Sequence, residues 1–176
     1  LLGSLIASSS SDPVAALRAA FLAANKRVFE RHAGRGGTTI SALLIPRTGE
    51  TVVGHVGDSR IYSFVPGDDS KVELLTEDDT IEAQVAKVKK QEPTRRGSQS
   101  QLVQFVGIGS ELSPHISTQG SNNEHKAFVV TSDGAHGIPP ALFASILGTA
   151  HSAIEVVERL TTLSEWEGGH DNASAA

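Results

Sequence analysis

Three aspartates of this chain are set where a carboxylate can do chemistry. They lie in Val56-Gly57-Asp58-Ser59-Arg60, in Thr131-Ser132-Asp133-Gly134 and in Gly168-Gly169-His170-Asp171-Asn172. Each stands beside glycine where an apolar run ends or a new one is expected. A carboxylate delivered there is held by the backbone of a strand end and not by a loose loop. Singly, each stretch also reads as an ordinary turn, because Asp and Ser bond back to their own backbone and glycine supplies positive φ. The ordered set of three is more specific than any one of them. Cysteine is absent, which excludes thiolate nucleophiles, thiolate metal sites and disulfides. No Ser-His-Asp arrangement is evident.

The elements that must position these carboxylates can be read from periodicity. Asp12-Pro13 is a helix start, and Val14, Leu17, Phe21, Ala24 and Val28 keep helical spacing as far as His32. Thr38 to Ile45 is the first clear strand after a glycine-rich break. Thr51 to Val56 is a second strand, and Ile61 to Val65 is expected to pair with it across a tight reversal at Gly57. Pro66 to Ser70 reads as a turn in which Asp68 and Asp69 are solvated, and Lys71 to Leu75 as a further strand. Thr76 followed by Glu77, Asp78 and Asp79 looks like a capped helix start, with Ile81, Val85 and Val88 on its apolar side. Short connections make this a meander of antiparallel strands.

Beyond that helix, Gln101 to Val106 is apolar enough to be buried. Gly107-Ile108-Gly109 lacks the third glycine and the strand-to-helix context of a phosphate loop. Ser110 to His125 reads as polar and irregular. Lys126 to Thr131 is a strand feeding Asp133, Pro139-Pro140 opens a helix carrying Leu142, Phe143 and Ile146, and another helix starts near Ser152. Asp171 precedes a last, short strand. Leu1 to Ser8 reads as the tail of a helix that begins upstream.

Length and charge narrow the class. At 176 residues the chain is the size of one domain, taken as residues 1–176. Its net charge of −5, with both signs interspersed, argues against a nucleic-acid or anionic-membrane partner. No run approaches a membrane span or resembles a signal peptide, so a cytoplasmic location is expected. The basic stretch Lys87, Lys89, Lys90, Arg95 and Arg96 is a solvated face or a docking site for an acidic or phosphorylated partner. Methionine is absent and residue 1 is leucine, which leads to the expectation that sequence precedes Leu1.

Gly37-Thr38-Thr39, Val56-Gly57-Asp58-Ser59-Arg60, Thr131-Ser132-Asp133-Gly134 and Asp171-Asn172 occur in the order and approximate spacing of the metal-dependent serine/threonine protein phosphatases, the PPM or type 2C family. Leu74 to Asp79 and Gln101 to Gly109 resemble its bacterial members. The resemblance runs over nearly the whole chain. It implies an α/β (α+β) fold, a four-layer αββα sandwich of two antiparallel sheets flanked by helices, here without the first strands and part of the last. It also implies two or three Mg²⁺ or Mn²⁺ ions and a metal-bridging water that hydrolyses phosphoserine or phosphothreonine in a protein substrate. Hard cations of this kind prefer carboxylate oxygen and keep water, and a metal pair lowers that water's pKa.

Carried over position by position, Asp133 and Asp171 match the ligands of one catalytic metal, with Gly134 and Asn172 as their neighbours. Asp58 matches the aspartate of the Gly-Asp-Ser-Arg motif, associated with a further, weaker metal, and Gly57 precedes it. His136 and His170 flank these loops as supporting groups or as plain loop histidines. The family's Asp-Gly-x-Gly-Gly motif, whose aspartate bridges both metals, has no counterpart among these residues, nor does its phosphate-binding arginine. The bridging ligand is therefore expected from a segment before Leu1 or from a second chain. Two functions follow, an active phosphatase completed by that segment, or a non-catalytic phosphatase-like module used for binding or regulation.

Overall fold

A computed structural model describes residues 12–46, 49–90, 101–120, 126–169 and 171–176. The expected helix tail at Leu1 to Ser8, Arg95, Arg96 and His170 lie outside the described residues. The chain divides into two compact units, each with its own sheet and its own core. Among the described residues, no helix is long and apolar enough to cross a membrane.

The first unit is built from helix α1 (Pro13–His32), strands β1 (Ile40–Leu44) and β2 (Thr51–Val56), helix α2 (Ile81–Lys89) and strand β5 (His115–Gln119). Helix α1 starts where the sequence predicts it. The Asp12 carboxylate accepts the backbone N–H groups of Val14 at 2.9 Å and Ala15 at 3.2 Å, satisfying two amides that the helix itself cannot. Its apolar stripe lies on an antiparallel sheet of order β1-β2-β5. Leu17 and Phe21 are fully buried, and burial of that kind stabilises by about 1.5–3 kcal/mol per side chain. They lie over Gly54, where an added Cβ would approach the Leu17 Cδ2 to 2.7 Å. Val52 and Val56 flank Gly54 on the same face of β2 and join that core.

Asn25, also buried, ties α1 to the Gly107-Ile108-Gly109 turn. Its Oδ1 accepts the buried Gly107 N–H at 2.7 Å, and its Nδ2 donates to the Gly109 carbonyl. The amide of Gly107 is thus taken by a side chain of its own unit, in keeping with the weak phosphate-loop signal. Asn25→Ala leaves both groups without these partners, and loss of about 1–3 kcal/mol is expected in urea unfolding, since a buried orphan donor costs its full desolvation.

The second unit contains β3 (Arg60–Val65), β4 (Asp68–Leu74), β6 (Ala127–Thr131) and helices α3 (Asp133–His136), α4 (Pro140–Thr149) and α5 (Ala153–Trp166). Its sheet has the order β4-β3-β6, again antiparallel. Tyr62, Phe64 and Val129 meet Phe143, Ile146 and Leu147 of α4, and Val156 and Leu160 of α5 complete that core. Both helices start as the sequence predicts, α4 with Pro140 in its first turn and α5 with the Ser152 hydroxyl accepting the Glu155 N–H at 3.1 Å. Two antiparallel three-stranded sheets with helices make this the expected α+β class.

Four local expectations are corrected. Strand β3 does not pair with β2: β2 lies between β1 and β5, and β3 between β4 and β6, so Gly57-Asp58-Ser59 links two sheets and is not a hairpin reversal. Strand β4 begins at Asp68, because the two-residue turn Pro66-Gly67 is sufficient and Gly67 takes φ +86°. Asp68 accepts hydrogen bonds from the Ser70 hydroxyl and the Lys71 ammonium, which hold its carboxyl below the usual carboxylate range. Helix α2 is capped by Thr80, whose hydroxyl accepts the Ala83 N–H at 3.2 Å, while the Thr76 hydroxyl accepts the Ile61 N–H of β3. Ile81, Val85 and Val88 are exposed, so their helical spacing does not mark a core face. Finally, the stretch expected to be irregular between Ser110 and His125 contains β5.

Candidate functional site

In the second unit, Asp133 and Asp171 arrive on neighbouring backbone segments. Strand β6 ends at Thr131, and Asp133 opens the short helix α3 directly after it. The C-terminal residues then return antiparallel to the end of β6: Val130 and Ala176 exchange two backbone hydrogen bonds at 2.9 and 3.0 Å, and Thr131 bridges Ala175. Ser132 fastens the join. Its N–H donates to the Ser174 carbonyl at 3.0 Å, its hydroxyl donates to the Asn172 carbonyl at 3.2 Å, and the Ser174 N–H donates to that same hydroxyl oxygen at 3.0 Å.

The two carboxylates share one local geometry. Oδ1 of Asp133 accepts the Gly134 N–H at 2.9 Å, and Oδ1 of Asp171 accepts the Asn172 N–H at 2.7 Å. Both residues are exposed. Each carboxylate is thus oriented by the amide that follows it. Both carboxylates are thus exposed and oriented on adjoining segments, and carboxylate oxygen is the donor type that hard divalent cations prefer.

Gly134 is required by proximity. A Cβ there would stand 2.6 Å from the Asn172 carbonyl oxygen and 2.9 Å from its carbon, both backbone atoms. Gly134→Ala is expected to cost about 1–3 kcal/mol by overpacking and to loosen the 171–176 segment, read as faster amide hydrogen exchange at Val130 and Ala176. His136 is buried and its Nδ1 shares a 2.9 Å hydrogen bond with the Thr131 hydroxyl, so it braces the strand end from within.

Asp58 belongs to the first unit, at the end of β2 and partly buried. The preceding Gly57 is locked against Asp79. Its N–H donates to Asp79 Oδ2 at 2.9 Å, and its carbonyl accepts the Asp79 N–H at 3.0 Å. The other oxygen of Asp79 lies 2.9 Å from His115 Nε2. His115 stacks on His55, ring centroids 4.7 Å apart and planes within 12°, and the two are direct cross-strand partners of β5 and β2. One ligand atom from each of His55, Asp79 and His115 falls within 4.8 Å of the others. Among the described residues, no other group of three such side chains comes together in this way.

Asp79 and His115 do not stand out in the sequence. Asp79 is the last of three consecutive acidic residues that read as a helix start, and His115 lies in a polar stretch with weak strand signal. The one available cue was alternation of Ile116 and Thr118 beside His115, too short to register a strand.

No protein-family model matches the chain, and no curated protein matches it. Solved structures do. The catalytic domain of the serine/threonine protein phosphatase PstP, in complex with two manganese ions, superposes with a TM-score of 0.79 over 99% of this chain and 74% of its own, at 23% identity. Stp1, a serine/threonine phosphatase from Staphylococcus aureus, gives 0.81 over 96% of this chain and 69% of its own, at 18% identity. The PPM Ser-Thr phosphatase MsPP from Mycobacterium smegmatis, in complex with cacodylate, gives 0.75 over 99% and 77%, at 25% identity. The likeness that the ordered aspartate and glycine motifs imply is therefore present in the fold itself: this chain has the fold of the bacterial PPM serine/threonine phosphatases.

Proposed function

We propose that the chain is the larger part of a metal-dependent phosphatase domain that hydrolyses phosphoserine or phosphothreonine in proteins. The observation that carries this reading is the join of residues 171–176 to β6, which puts Asp133 and Asp171 on adjoining segments in a PPM-like fold. Asp133 and Asp171 would hold Mg²⁺ or Mn²⁺, with Asp58 as ligand of a further, weaker ion. Bound there, such a cation lowers the pKa of coordinated water and offsets charge on the phosphoryl group.

This chain's own residues supply position. The Gly134 and Asn172 amides hold one oxygen of each carboxylate, and Ser132 keeps the two segments together. The absence of Cys leaves no thiolate nucleophile, in keeping with direct attack by water and no covalent intermediate on sulfur.

An Asp-Gly-x-Gly-Gly aspartate is not among these 176 residues, which favours keeping a non-catalytic binding module as the second reading. The deciding experiment is hydrolysis of a phosphothreonine peptide by the natural full-length protein with Mn²⁺, Mg²⁺ or EDTA. Turnover that needs the cation is the expected result. Phosphopeptide binding with no turnover under any cation would favour the module instead.

A further inference from the structure

We propose that His55, Asp79 and His115 form a binding site for one transition-metal cation of the zinc type, chemically unlike the all-oxygen sites of the phosphatase reading. The donor set is two imidazoles and one carboxylate. Imidazole nitrogen favours Zn²⁺ and Co²⁺ over Mg²⁺, and two histidines with one carboxylate and an open fourth position are an established zinc ligation pattern.

The backbone prearranges the set. His55 and His115 are paired across β2 and β5, so their side chains leave the same face of the sheet at neighbouring points. Asp79 is fixed at three points. Its N–H donates to the Gly57 carbonyl, its own carbonyl accepts the Val103 N–H at 2.8 Å, and its Oδ2 accepts the Gly57 N–H. Its Oδ1 is the oxygen beside His115 Nε2, and the Asp79 side chain is almost wholly buried whereas that of His115 is about half exposed. An ion can therefore reach the site from the His115 side.

The spacing is close to what a cation needs. Tetrahedral zinc with bonds of 2.0–2.1 Å holds its donors about 3.3 Å apart, so donors now within 4.8 Å of one another must draw in, and the stacked His55 and His115 rings must turn so that their lone pairs meet at the ion. Binding replaces the Asp79–His115 hydrogen bond with a shared ion and leaves the Gly57 amide on Oδ2. The His115 nitrogen that turns to the ion must carry a lone pair, and any proton on it goes to the other ring nitrogen or to solvent. Asp58 follows Gly57, whose amide and carbonyl both bond Asp79, so the backbone next to the Gly-Asp-Ser-Arg carboxylate is tied to a ligand of the proposed site.

The test is a Zn²⁺ titration of the full, tag-free chain against a chromophoric chelator, in millimolar Mg²⁺ to occupy oxygen sites, with imidazole NMR spectra recorded alongside. One tight zinc equivalent is expected, and the ring signals of both His55 and His115 should shift on binding. His115→Gln, which keeps a polar group beside Asp79, should weaken binding at least about tenfold, near 1.4 kcal/mol. His151→Ala, an exposed histidine of the second unit, should leave it unchanged. Equal affinity in His115→Gln, or zinc that moves only other histidine signals, would overturn the proposal and leave a plain Asp–His hydrogen bond. The wild-type ring signals report directly, so a poorly folding variant cannot hide the answer. Neither readout uses phosphate hydrolysis, which separates failure here from failure of the phosphatase reading.

Discussion

Asp133→Ala is expected to lower cation-dependent phosphopeptide hydrolysis by at least about 10²-fold while leaving the melting temperature nearly unchanged. The activity term follows from charge: a metal ligand that supplies several kcal/mol of transition-state stabilisation is worth a factor of ten for each 1.4 kcal/mol or so. The stability term follows from contacts. Asp133 is exposed and, among the described residues, its carboxylate accepts the adjoining Gly134 N–H, whereas Ser132 holds the returning C-terminal segment. Removing the carboxylate therefore spares the scaffold, and surface changes of this kind usually stay within about 0.5 kcal/mol. Asp133→Asn should fall between, since it keeps an oxygen donor and loses the charge. If extra Mn²⁺ restores Asp133→Asn, the loss lies in ion affinity. A wild-type rate in Asp133→Ala would remove Asp133 from the ligand set.

Much of the secondary structure in both units was legible because strong local signals agree with tertiary need. Asp12 and Ser152 announce helices by side-chain capping and Pro139-Pro140 by the fixed φ of proline in a first turn, signals that act within a few residues, and all three helices form. Strand β6 was legible because Phe128, Val129 and Val130 form an unbroken apolar run. Pairing partners were legible only in part: β1 with β2 and β3 with β4 pair as neighbours of an antiparallel meander, but the second partner of β2 and of β3 was not legible. Adjacent strands usually pair, so β2 and β3 read as a hairpin, yet the chain changes sheets at Gly57 and each strand finds partners far along the sequence. Helix α2 shows the opposite failure, with a correct helical period whose apolar residues Ile81, Val85 and Val88 stay exposed. Periodicity records the backbone period but not what covers the face. The His55–Asp79–His115 cluster depends wholly on such long-range pairing, since β5 brings its histidine from sixty residues beyond its partner in register with β2.

Gly57→Ala is expected to destabilise the first unit by about 2–4 kcal/mol, combining a positive-φ penalty of about 1 kcal/mol with overpacking of about 1–3 kcal/mol. Gly57 sits at φ +101°, which L side chains rarely adopt. An added Cβ would also run into the Thr39 side chain, passing its Cγ2 and coming within 2.8 Å of its Cβ. In a chain of this size the loss corresponds to a fall of roughly 5–15 °C in melting temperature. The two causes can be separated, because Thr39→Ser removes the Cγ2 methyl and keeps the hydroxyl. In the background of Gly57→Ala, Thr39→Ser should recover about 1 kcal/mol of the overpacking and none of the φ penalty, a coupling readable by a double-mutant cycle. Full additivity of the two substitutions would show that Thr39 does not confine this turn. Because the Gly57 amide and carbonyl both meet Asp79, the strain should also reach His115, seen as a changed ring signal in the folded variant. Asp58 is thereby placed by a glycine that joins two sheets and is clamped by Asp79, a firmer hold than a solvent-exposed hairpin turn would provide.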